Sequence, residues 1–120
     1  MNLPERYVVS PDAPKPSQLL RQALILLGPN GEHWGKRSFR RVNKRWFGLV
    51  RNTVYCAAGA IKEVNTDNET AATIYLAMAT SSGYVHESLI YHFNDQDGRT
   101  FAEVKAKFEE AIKLAEADGN

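Results

Sequence analysis

The sequence predicts an all-α (mainly α) fold, a compact bundle of about five helices with one irregular or weakly β segment near residues 33–52. Three observations lead there. Phe101, Val104, Phe108, Ala111, Ile112 and Ala115 recur at helical spacing and form one apolar stripe. Thr-x-x-Glu helix-start signatures stand at Thr66–Glu69 and Thr100–Glu103. Alternating apolar and polar runs joined by hairpin turns are scarce, which argues against an all-β chain.

Residues 1–16 hold four of the five prolines, and proline fixes φ and lacks the amide donor, so an extended N-terminal arm is expected there. Ser17 is placed to cap a helix through Leu27, ended by Gly28-Pro29. That helix is apolar nearly all round, with Leu19, Ile25 and Leu26 lying off the stripe of Leu20, Ala23, Leu24 and Leu27, so it is either central to the core or covered by a partner. Residues 28–37 read as a turn-rich loop. A small-residue helix beginning near Thr53 is expected to run through Val64, its Ala57, Ala58, Gly59 and Ala60 allowing close approach of another backbone. Thr66–Glu69 opens a helix to Thr80, broken by Ser81-Ser82-Gly83, and a short helix is expected over 84–92. The last helix runs from Thr100 to residue 117, with 118–120 a disordered tail. The expected core comprises Leu20, Leu24, Leu27, Ile61, Ile74, Val104, Phe108 and Ile112. A single helical domain over 17–117 fits the 120 residues.

Cys56 is the sole cysteine, so no intrachain disulfide can form, which fits a reducing compartment. The N-terminus has Glu5 where a secretion signal carries bases, and no apolar run approaches a membrane span, so a cytoplasmic protein without membrane association is expected. The net charge of +1 conceals a division. Residues 33–62 carry eight bases and no acid, whereas 63–120 carry four bases and eleven acids. Such a division either folds back on itself or serves a partner.

Catalytic and ligand motifs are incomplete. Gly35-Lys36 resembles the end of a P-loop, but Asn30 replaces the first glycine and Arg37 the Ser or Thr. Asp95-x-Asp97-Gly98 matches the middle of a calcium loop whose first and twelfth ligand positions would be Phe93 and Val104. His33, His86 and His92 lack metal-site spacing, and no metal or cofactor is expected. Cys56 follows a basic stretch, yet a lone cysteine among alanines reads as a small core residue, and a buried, unreactive thiol is expected. The strongest feature is the segment 36–51. Lys36, Arg37, Arg40, Arg41, Lys44, Arg45 and Arg51 surround Phe39, Trp46 and Phe47, cations beside stackable rings. Against a binding role stands a solvated basic face neutralised by the acidic C-terminal half.

Phe93, Asn94, Asp95, Arg99 and Thr100, with Cys56, Gly59 and Ala60 upstream, form a pattern. It resembles a family of small phage and actinobacterial proteins known only as a domain of unknown function. Family members have an aromatic-Asn-Asp turn, often with tryptophan where this chain has Phe93, an Arg-Thr pair entering the last helix, and a Cys-x-x-Gly-Ala helix. The resemblance spans residues ~17–117. It implies a helical fold and phage origin, and no activity. From the residues themselves, Asn94 and Asp95 are expected to bond backbone amides of the turn while Arg99 pairs with Asp95 or Asp97, a structural brace rather than a ligand site.

The leading functional expectation is a non-enzymatic, phage-encoded binding protein that engages a host or defence-system protein in the host cytoplasm. Its binding set is Lys36, Arg37, Arg40, Arg41, Lys44, Arg45 and Trp46. Nucleic-acid or nucleotide binding by segment 36–51 is the alternative, and a small enzyme using Cys56 or a histidine ranks last.

Overall fold

A computed structural model of the chain describes residues 3–37, 40–44, 51–64, 66–81 and 85–120, with backbone alone for 41–44, 51 and 52. Within them run α1 (Pro16–Leu27), β1 (Arg40–Lys44), β2 (Arg51–Tyr55), α2 (Ala57–Val64), α3 (Glu69–Thr80), α4 (Ser88–Asp95) and α5 (Phe101–Ala117). The mainly α bundle is as expected, and the weakly β segment is an antiparallel hairpin of β1 and β2.

Local chemistry sets the helix starts. At α5 the Thr100 hydroxyl accepts the Glu103 amide at 3.3 Å, while the Glu103 carboxylate accepts the Thr100 amide at 3.0 Å. The box satisfies two donors that a helix cannot satisfy internally. The matching signature at Thr66–Glu69 does not form one. Asn68 occupies the cap position without a side-chain cap bond, and Thr66 contributes its carbonyl, which accepts the Glu69 amide at 3.1 Å. The Asn68 carboxamide is instead turned to the N-terminal arm. It accepts the Ser10 amide at 2.8 Å and donates to the Pro14 carbonyl at 2.8 Å.

Other boundaries also move. Pro16, not Ser17, opens α1, where its fixed φ suits a helix and its missing amide is no loss. Ser17 donates both its amide and its hydroxyl to the Asn120 carbonyl, at 3.1 and 3.0 Å. Thr53, Val54 and Tyr55, expected in a helix, end β2, as β-branched and aromatic residues favour. The following helix starts at Ala57, and the Cys56 sulfur accepts the Gly59 amide at 3.3 Å, an N-cap made by a thiol. The helix expected over 84–92 begins at Ser88, whose amide bonds His86 Nδ1 at 3.1 Å, and it continues to Asp95.

α3 lies at the centre. Every residue from Ala71 to Ala79 is buried, and the helix packs on α5, α1, α4 and α2. α1 in turn packs on α5, α2 and α3, so its buried face is broad. This corrects the stripe assigned to it: Leu19 is fully buried, whereas Leu24 is only partly so. Leu20, Leu27, Ile61, Ile74, Val104, Phe108 and Ile112 are all core residues.

Residues 118–120, expected as a disordered tail, are tied into the bundle. The Asp118 carboxylate accepts the Tyr75 hydroxyl at 2.6 Å and the Leu3 amide at 2.9 Å. The Asn120 carboxamide donates to the same Tyr75 oxygen at 2.9 Å. Burial and the adjacent Asp118 carboxylate push the Tyr75 hydroxyl up to about 12. Among the described residues no helix is long and apolar enough to cross a membrane.

Phe108 is fully buried where α5 meets α3 and α1. Phe108→Ala should therefore lower stability by ~3–5 kcal/mol, read as a fall in the denaturant midpoint at unchanged slope.

Candidate functional site

After α1 the chain turns through Gly28 and runs beside the end of β2. Tyr55 donates its amide to the His33 carbonyl at 2.7 Å, and Gly35 donates to the Tyr55 carbonyl at 2.9 Å. Gly31 has φ +76°, and a Cβ there would lie 2.5 Å from the Phe101 ring, so only glycine fits the turn. Phe101 packs against Trp34 with ring centroids 6.1 Å apart. The start of α5 thus supports the loop that leads into the hairpin.

Trp34 is fixed from its other end by Asn94. This asparagine has no exposed surface, and both halves of its carboxamide are doubly used. Its oxygen accepts Trp34 Nε1–H at 2.7 Å and the Ala57 amide at 3.0 Å. Its nitrogen donates to the Gly35 carbonyl at 3.0 Å and to Asp95 Oδ1 at 2.9 Å. Two donors and two acceptors exhaust what an asparagine offers. One side chain therefore joins the end of α4, the loop before β1 and the first turn of α2. The expectation that Asn94 and Asp95 bond backbone amides of their own turn is corrected: the amides they accept are those of Ala57 and Arg37, brought in from distant segments. Asn94 and Asp95 belong to the last turn of α4 rather than to a free turn.

Asp95 extends the junction by accepting the Arg37 amide at 2.8 Å. Lys36 Nζ donates to the Gln96 carbonyl at 2.9 Å and lies 5.9 Å from the Trp34 ring centroid. The Arg37 guanidinium reaches Asp97 at 3.4 Å, an ion pair with both side chains largely exposed. The first cations of the basic segment and the Asn94–Asp97 stretch, far apart in sequence, therefore form one site.

Arg99 departs from the expected pairing. It does not reach for Asp95 or Asp97. It lies flat on Phe93, with 3.7 Å from guanidinium carbon to ring centroid, and donates to the Phe93 carbonyl at 2.8 Å. It also donates to Gln96 Oε1 and pairs with Glu103 at 2.6 Å. The reason is position: Arg99 follows α4 closely enough to cover its last carbonyls, a favoured place for a cation. Glu103 is held below the usual carboxylate range, first by the Thr100 amide and hydroxyl and then by Arg99.

Beside this junction opens a cleft of about 690 Å³ lined by Thr80, Leu89, Tyr91, His92, Phe93, Asp95 and Gln96. Of the remaining predicted binding residues, Arg40, Arg41 and Lys44 lie in β1. Arg45 and Trp46, with Phe39 and Phe47, lie outside the described residues. Sequence reasoning passed over Trp34, although an aromatic directly before Gly35-Lys36 was a usable signal. Among the described residues no group of three or more His, Cys, Asp or Glu side chains gathers to hold a metal.

Residues 11–114 match the profile of a family of unknown function (DUF6197). The chain belongs to that family. No curated protein and no solved structure matches it. The family span contains the whole junction, from Trp34 and Cys56 to Asn94 and Arg99. Within it the Cys-x-x-Gly pattern has a physical meaning, since the Cys56 sulfur caps the Gly59 amide while Asn94 takes the Ala57 amide.

Burial pushes the Cys56 thiol up, and the Asp95 carboxylate adds to it, against the lowering effect of the Gly59 and Ala58 amides. A thiol that is buried and held protonated is a poor nucleophile. Thiol reagents at neutral pH should label Cys56 slowly in the native protein and rapidly in denaturant, which a timed colorimetric assay reads. Asn94→Ala should cost about 2–4 kcal/mol, because Trp34 Nε1–H and the Ala57 amide lose their partner at a buried site. Asn94→Asp, equal in shape but without the two amide donors, should not restore stability in the same denaturation assay.

Proposed function

We propose that the chain is a non-enzymatic binding protein that presents its basic hairpin to an acidic surface of a partner protein. One observation carries the reading. The hairpin register sets Arg40 opposite Tyr55, Arg41 opposite Val54, Val42 opposite Thr53, Asn43 opposite Asn52, and Lys44 opposite Arg51. The ladder thereby gathers Arg40, Arg41, Lys44 and Arg51 onto one strand pair with no acid in either strand. An acidic partner surface would complement that concentration of positive charge.

The remainder of the charge division supports this. Lys36 and Arg37 are drawn into contacts with the α4 terminus, so internal neutralisation operates at the base of the hairpin. Arg40, Arg41, Lys44 and Arg51 lie further along, on the strands themselves. Complementary charge of this kind speeds encounter and selects among partners more than it adds affinity. The family resemblance to phage proteins suggests which partner: a host or defence-system protein met in the host cytoplasm. The interleaving of Phe39, Trp46 and Phe47 with the cations supports a second reading, single-stranded nucleic acid, on which bases stack while phosphates meet the bases of the chain.

The test replaces Arg40, Arg41, Lys44 and Arg45 with glutamine and measures both unfolding midpoint and capture from bacterial lysate, with and without nuclease. Loss of capture at unchanged stability is the expected result, with wild-type capture weakening as salt rises. Capture lost on nuclease treatment would transfer the role to nucleic acid. Lowered stability with capture unchanged would leave the basic residues as an internal brace.

A further inference from the structure

Residues 3–15 lie over the bundle without entering it. Every residue from Leu3 to Lys15 is exposed or only partly buried, and Val8 is 85% exposed. Leu3 and Tyr7 touch the core from its edge. A cavity of about 490 Å³ remains between the arm and the end of α5, lined among others by Leu3, Pro4, Tyr7, Val9, Asp118 and Asn120. Apolar packing therefore holds the arm weakly, and polar contacts set its place. Asn68 holds the middle. Its carboxamide accepts the Ser10 amide at 2.8 Å and donates to the Ser10 and Pro14 carbonyls at 3.1 and 2.8 Å. A side chain only 1% exposed thus spends its bonds on the backbone of the arm. Residues 118–120 hold both ends. The Leu3 amide donates to the Asp118 carboxylate at 2.9 Å, and Ser17, just past the arm, donates its amide and hydroxyl to the Asn120 carbonyl at 3.1 and 3.0 Å. The Tyr75 hydroxyl, bonded to Asp118 at 2.6 Å and to Asn120 at 2.9 Å, ties that short segment to α3.

We propose that residues 3–15 are a strap and residues 118–120 its catch, and that the strap opens and closes as one unit about Pro14-Lys15-Pro16 while the bundle stays folded. Proline fixes φ on both sides of Lys15, whose own backbone is extended (φ −65°, ψ 151°), so the hinge turns about few bonds. Opening takes little apolar surface out of contact. The bonds that Asn68 and Asp118 lose are replaced by water as the arm lifts, so opening costs far less than unfolding α3, which is buried from Ala71 to Ala79. One oxygen of Asp118 serves both the strap, through Leu3, and the anchoring of the catch, through Tyr75. That sharing couples the two: a catch that loosens releases the far end of the arm, and the middle is then held by Asn68 alone. Closed, the strap covers Asn68. Open, it bares a carboxamide arranged to read the amide and carbonyl of one residue in an extended chain.

The experiment follows amide hydrogen exchange in the full chain, residue by residue, by NMR. The Leu3 and Ser10 amides, each held by a side chain, should exchange at about the same protection and roughly 100-fold faster than the Tyr75 and Leu76 amides of α3. Asp118→Ala should speed exchange at Ser10 at least tenfold, although Ser10 bonds Asn68. Asn68→Ala should speed exchange at Leu3 at least tenfold, although Leu3 bonds Asp118. The Tyr75 and Leu76 amides should keep their protection, which shows the bundle intact. If Asp118→Ala loosens α3 as well, the Leu3 amide in Asn68→Ala decides alone. A Ser10 amide as slow as that of Leu76 overturns the proposal by making the arm part of the core. Variants that each free only the amide they touch overturn it too, since the contacts then act singly. So does a dimer in sedimentation that Asn68→Ala dissolves, which would place the arm on a second copy.

Discussion

Asn94 is a polar side chain with no access to water, and the bonds it makes decide how three parts of the chain meet. A buried carboxamide with any group unmatched would cost about 1–3 kcal/mol, so its position is tolerable only when all four of its bonds form together. Those bonds come from the Trp34 indole, the Gly35 carbonyl, the Ala57 amide and the Asp95 carboxylate. None of these partners can shift alone. The loop before β1 and the helix after β2 are therefore held to one point, and the base of the hairpin is set by the end of α4. Apolar contacts bring these elements close, but they are non-directional and would accept several registers. The carboxamide accepts one.

A second group of polar contacts does the same work around α3. Asn68 holds the N-terminal arm by Ser10 and Pro14, while Asp118 and Asn120 converge on the Tyr75 hydroxyl. The Leu3 amide and Ser17 join this set through Asp118 and the Asn120 carbonyl. In both clusters a small number of oriented side chains closes the open ends of helices whose apolar faces already meet. α3, buried from Ala71 to Ala79, contributes the Tyr75 hydroxyl to this set, and the groups that meet it come from outside the helix.

What could be read in the sequence follows from how local its physics is. The Thr100–Glu103 box depends on four residues and their backbone, and it formed as its pattern implies. The same pattern at Thr66–Glu69 failed because Asn68 stands between its members and is recruited by a segment 58 residues away. Tertiary demand outweighed a motif of equal local quality. The Asn94–Asp95 pair was visible as a polar brace, but its partners were not, since Trp34 and Ala57 lie 60 and 37 residues upstream. Arg99 departs from its expected pairing for the opposite reason, a simple charge count favouring Asp95 or Asp97 where the Phe93 ring and carbonyl are what it meets. Leu19 and Leu24 exchanged burial because a helix packed on three others buries more than one stripe.

The charge division is the point at which fold and function bear on each other. Lys36 and Arg37 seat the base of the hairpin on groups at the end of α4. Those contacts use a carbonyl, an exposed carboxylate and a carboxylate already shared with Asn94. Surface ion pairs such as Arg37–Asp97 contribute roughly 0–1 kcal/mol. The seating of the hairpin base therefore rests more on the bonds that Asn94 and Asp95 make with the backbone than on that pair. Some acids of the C-terminal half serve other contacts, Glu103 with Thr100 and Arg99, Glu116 with Arg21, Asp118 with Tyr75 and Leu3, while Asp95 and Asp97 meet Arg37. The strand pair that carries Arg40, Arg41, Lys44 and Arg51 is thus joined to the bundle through its base, where Asn94 and Asp95 fix the chain just before β1 and just after β2.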